Sequence, residues 1–102
     1  MSVYTIWESE FPAERRQEGA EVTRAIWHDM RAFDGYLAHE IVEDLDRPGH
    51  VIVVGRWASR EAADAALSYR SSPNHQRVDA LVAGPRRRTV GRAIDSGAGI
   101  TT

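Results

Sequence analysis

The chain contains no cysteine and no lysine. Without cysteine there is no disulfide frame, no thiol nucleophile and no thiolate metal site. Without lysine no Schiff base can form, and all thirteen cationic side chains are arginines. Net charge is also scarce, −2 over 102 residues, so there is no electrostatic footprint for nucleic acid or an anionic membrane. No apolar run approaches the roughly 18 residues of a membrane span, and the opening MSVYTIWESEF lacks the basic start and apolar middle of a signal peptide. The expected location is therefore the cytoplasm. His28, His39 and His50 show neither His-x-His nor His-Glu-x-x-His spacing, so no metal site is expected. There is no GxSxG elbow for a nucleophilic serine, and GAGITT lacks the following helix that a phosphate loop needs.

What is present is enough for one domain with a modest core, burying about 60 to 70% of its unfolded surface. Val3 to Phe11 is rich in β-branched and aromatic residues and reads as a strand, with Pro12 suited to open a helix. From Pro12 to Phe33 the large apolar residues Val22, Ile26, Met30 and Phe33 recur on one helical face. Gly35 breaks that helix, and YLAHEIVEDLD, RPG and HVIVVGRWAS read as a hairpin. Ser59 is placed to cap an alanine-rich helix, Pro73 to interrupt it, and Ser72 to cap a shorter helix that buries Val78, Leu81 and Val82. Arg86 to Ile94 is the last strand. Residues 1–94 then form a single domain, with 95–102 as a flexible tail.

The resulting order, βαββαβ, is the ferredoxin-like arrangement: an α+β fold with an antiparallel sheet and its helices on one face. A sheet wet on one side should alternate apolar and polar residues. Val51, Ile52, Val53 and Val54 are instead apolar on both parities. Both faces must be covered, and the helices cover only one. Either a second copy of the chain packs on the other, or a ligand fills the space, or both; a homodimer is the expected cover, being the commonest closed assembly.

A strand ending in Trp57-Ala58-Ser59, an alanine-rich helix, and then Ser72-Pro73-Asn74-His75 before a final strand resembles the antibiotic biosynthesis monooxygenase family, whose members are dimeric α+β barrels. The resemblance covers about residues 2 to 94. It implies a homodimer with an apolar cavity in each subunit between sheet and helices. It also implies oxidation of an aromatic or quinone-like small molecule, polyketides among them, by molecular oxygen without a flavin, haem or metal cofactor. Trp57 matches the family's tryptophan at the end of the third strand and is the expected stacking partner for a flat substrate. Quinone-forming members pair that tryptophan with an Asn four residues earlier and a Tyr six later; here these positions are Val53 and Ala63. The haem-degrading branch is excluded, since the first strand has no Asn, and Ala66 and Asp79 stand near the positions of its Trp and His.

Plant polyketide cyclases of the sister group are similar at Tyr-x5-His, which Tyr69 and His75 reproduce. That resemblance implies an acid and base pair, with Pro73 re-aiming the chain so that His75 approaches Tyr69. Each candidate has a plainer rival: His75 as a helix-start residue bonded to backbone or water, Tyr69 as a core aromatic with a wet hydroxyl, Trp57 as packing. Arg86-Arg87-Arg88 reads as a guard on an edge strand, with Arg88 or Arg92 able by parity to point inward and hold a phenolate or carboxylate. Arg92 is the one carried forward as a substrate-binding residue, beside Trp57. Three classes of function stay open: a cofactor-independent oxygenase, an acid-base cyclase or isomerase using Tyr69 and His75, and a non-catalytic small-molecule-binding dimer.

Overall fold

The computed structural model describes residues 2–97. Four strands, β1 (Val3–Glu10), β2 (Tyr36–Glu43), β3 (His50–Trp57) and β4 (Arg87–Gly91), form one antiparallel sheet in the order β2-β3-β1-β4. This is the ferredoxin-like order expected from the sequence. Helix α1 (Arg16–Met30) is entered through a 3-10 turn at Ala13–Arg15, and it buries Val22, Ile26 and Met30 as the periodicity predicts. Phe33 lies just past its end, partly buried against the same core. Ser59 Oγ accepts the amide of Ala62 and starts α2 (Arg60–Ala65), which tightens into a 3-10 segment, Ala66–Ser71. Pro73 ends that segment, and Ser72 Oγ accepts the amide of His75 at the start of α3 (Pro73–Leu81). α1 and α3 pack against each other.

The last strand is shorter than expected, ending at Gly91 rather than Ile94. It pairs with β1 only from Tyr4↔Gly91 to Glu8↔Arg87, so Arg92 to Ile94 have no partner strand to hold them. Of the proposed tail, residues 98–102 lie outside the described residues. The β2–β3 turn uses Gly49 at φ +93°, where an added Cβ would meet the carbonyl oxygen of Phe11.

Alternation assigns the two faces. Thr5, Ser9, Val51, Val53, Gly55 and Trp57 are buried toward the helices. Ile6 pairs with Val54, and Val42 with Ile52, on the side away from them. Ile6 and Val42 are 36% and 42% exposed. Gly55 has a packing reason: a Cβ there would stand 2.7 Å from the Trp27 ring, so the missing side chain lets α1 seat its tryptophan on the sheet. No helix among the described residues is long and apolar enough to cross a membrane.

Candidate active site

A cavity lies between the helix-facing side of the sheet and the helices, with about 60 Å³ of space that the centre of a water-sized sphere can reach. One end is aromatic. Trp57, only 1% exposed, donates from Nε1 to Thr5 Oγ1 at 3.3 Å, and it packs against Trp27 and edge-on against Tyr36. The sequence left open which sheet face Trp57 occupies; it is the helix-facing one, and Trp57 lines the cavity with Trp7, Trp27 and Met30. Val53 and Ala63 are also buried cavity-lining residues. The two positions where quinone-forming relatives are expected to carry Asn and Tyr therefore do face this space, and here they offer it only methyl groups.

The other end is cationic. Arg86 stacks over the Trp7 ring, 5.0 Å from its centroid, with Arg88 at 5.9 Å. Parity explains Arg88, which is paired with Trp7 across β1 and β4 and so shares its face. The arginine run is thus only partly an edge guard: Arg87 is exposed, whereas Arg86 and Arg88 turn in. Arg92, expected to bind substrate, is exposed, lies beyond the end of β4 and is not among the lining residues; the inward arginine on this strand is Arg88.

Tyr69 and His75 both line the cavity, and each is engaged elsewhere. The Tyr69 hydroxyl donates to Asp29 Oδ2 at 2.5 Å, and the Asn74 amide donates to both at 3.3 Å. Burial, and next the Asp29 carboxylate, raise the Tyr69 pKa, so the phenol stays protonated at neutral pH. On the far side, Arg86 Nη2 donates to His75 Nε2. A guanidinium can only donate, so Nε2 must be the accepting nitrogen, and a neutral ring carries its proton on Nδ1. Asp79 Oδ2 lies 3.2 Å from Nδ1, near enough for attraction but not aligned for a hydrogen bond. Burial, and then the Arg86 charge, lower the His75 pKa, so the imidazole is neutral at pH 7.

Asp29, Asn74 and Arg86 escaped sequence reasoning as site residues. Asp29 and Asn74 are 45 residues apart and meet only because α3 folds back on α1. Arg86 precedes β4 and carries no parity signal. Trp7 was missed as well, although its parity with Thr5 and Ser9 on β1 is a signal that could have found it.

No curated protein matches the chain by sequence. Among solved structures, a point variant of SnoaB, a cofactor-independent oxygenase from Streptomyces nogalater, superposes with a TM-score of 0.82 at 14% identity, covering 93% of this chain and 95% of that one. Rv0793 from Mycobacterium tuberculosis gives 0.74 at 24% identity over 96% and 100% of the two chains. A conserved protein from Methanosarcina mazei gives 0.77 at 12% identity over 90% and 92%. At these identities the structures establish a shared fold. The sequence itself goes further, because residues 2–80 match the family model for antibiotic biosynthesis monooxygenases. The chain belongs to the antibiotic biosynthesis monooxygenase family.

Proposed function

We propose that the protein is a cofactor-independent monooxygenase that oxidises an aromatic or quinone-like small molecule with molecular oxygen. The observation that carries this reading is a cavity walled by Trp7, Trp27 and Trp57, with a neutral imidazole, His75, among its lining residues. An electron-rich phenol or anthrone must lose a proton before it can pass an electron to oxygen. His75 Nε2 is the base for that proton, and the indole of Trp57 the wall against which the ring lies. Converting an anthrone CH₂ to a carbonyl uses one O₂: one oxygen atom stays in the product, and the other leaves as water with the two hydrogens. No outside reductant is required. Exclusion of bulk water by the buried indoles keeps the carbanion from simply being reprotonated.

The active unit in this proposal is a homodimer, its partner covering the apolar outer face of Ile6, Val42, Ile52 and Val54. The test is oxygen uptake with chelator present, against a panel of hydroxyanthrones and hydroquinones. Enzyme-dependent uptake is the expected result; uptake no faster than the uncatalysed background from folded protein would remove the oxygenase reading. A second reading, acid-base cyclisation or isomerisation, has one observation in its favour: Tyr69, a protonated acid, and His75, a neutral base, border the same cavity.

A further inference from the structure

We propose that the ligand of this cavity is a planar aromatic acid in its ionised form, and that its anionic group draws Arg86 off His75, so that the ligand itself uncovers the base. The proposal rests on the reading above for the role of His75 and adds to it a substrate charge and a means of control.

Charge around the cavity is lopsided. Its lining includes Arg70, His75, Arg86 and Arg88, and among the described residues that line it there is no Asp or Glu. Arg70 is itself exposed, and the carboxylates that hold Arg86 and Arg88 lie outside. Asp79 contacts Arg86 at 3.3 Å and Asp64 contacts Arg88 at 3.0 Å, but their side chains are 56% and 45% exposed, against 14% and 18% for the arginines. For these two pairs the anions thus sit where water screens them, and the cations, Arg86 and Arg88, where it does not.

Two donors are left ready for an acceptor. Arg88 Nε is buried without a hydrogen-bond partner, a costly state for part of a cation. Arg86 spends a donor on the lone pair of His75 Nε2, the atom that a base must keep free. A carboxylate is the better partner for a guanidinium, because the pair is charge-assisted and can be bidentate. Exchange of imidazole for carboxylate on Arg86 therefore runs in the direction that frees His75. The same movement solves a problem of space. As it stands the cavity has room for only a few water-sized molecules, and the Arg86 guanidinium stands over the Trp7 ring. When the guanidinium lifts, the indole face it covered becomes the floor on which an aromatic ring can stack.

The experiment compares 2-naphthoate with 2-naphthamide, which share a ring system and differ in charge, by isothermal titration calorimetry, while nitrogen NMR follows the His75 ring. The acid is expected to bind more tightly by about tenfold or more, and Arg86→Gln and Arg88→Gln should each bring the two ligands close to parity. The Nε2 resonance should move on saturation with naphthoate, and should already be moved in unliganded Arg86→Gln. Equal binding of acid and amide, no detectable binding of either, or an Nε2 signal unchanged at saturation would each overturn the proposal. The ligand comparison and the resonance are read on the unaltered protein, so a misfolded variant cannot decide the matter. Oxygen uptake is scored separately. Uptake on a neutral anthrone with no preference for naphthoate leaves the oxygenase and removes the anion; a naphthoate preference with no uptake does the reverse.

Discussion

At the scale of single residues, His75 is held neutral by burial and by the neighbouring Arg86 charge, and both effects favour the form that can take a proton. Two outcomes follow. Replacing His75 with Ala should lower kcat/KM on a responsive anthrone by on the order of 10² to 10⁴, with the circular dichroism spectrum unchanged. Unchanged turnover would show that the base lies elsewhere. The acid limb of the pH profile should have its midpoint below the ordinary histidine value of about 6.5. Stability carries the same sign. His39 and His75 both have folded-state pKa values lowered chiefly by burial, so the unfolded chain binds more protons in mildly acid solution. Their contribution is fully present above about pH 6.5 and is lost as pH falls toward the folded-state values. The urea midpoint should therefore drop between pH 7.5 and 5.5, and drop less in a His39→Gln, His75→Gln double variant. An equal drop in that variant would place the effect on other groups.

At the scale of elements, the site depends on how β3 and the broken second helix are built. Gly55 opens the sheet for Trp27, so Gly55→Ala should cost roughly 1–3 kcal/mol by overpacking, read as a lower urea midpoint with an unchanged slope. A variant as stable as the parent would mean that Trp27 has room to shift. These elements were legible in the sequence because their causes are local. Ser59 and Ser72 cap from one turn away, Pro73 breaks the chain it sits in, and Val22, Ile26 and Met30 share a face by spacing alone. The candidate site was legible only in part, for the same physical reason. Trp57, Tyr69 and His75 sit on elements whose ends could be read, and all three reach the cavity. The bond from Tyr69 to Asp29, and the Arg86 contacts to Trp7 and His75, join segments whose approach no local pattern encodes. Arg92 failed on strand length: its parity was right for a longer β4, and the pairing stops at Gly91.

At the scale of the whole molecule, the unpaired side of the sheet is the dominant feature. Its two inner strands present Ile52, Val54 and Ile6 outward, with Val42 beside them, an apolar strip among Glu8, Glu40 and Arg56 that a second sheet can cover. The protein should sediment as a particle of twice its 11.4 kDa, and Val54→Glu should shift it to the single-chain mass. A parent protein that stays monomeric at micromolar concentration would contradict the dimer. A melting temperature that rises with protein concentration is the independent sign of coupled folding and association.

The chain has three tryptophans, and all of them border the same cavity. Its intrinsic fluorescence consequently has no indole background from any other part of the fold. The cavity carries its own optical reporter, with Arg86 lying on one of the emitters. A molecule that quenches indoles or alters the polarity of this space acts on all three emitters at once, whether or not it is turned over.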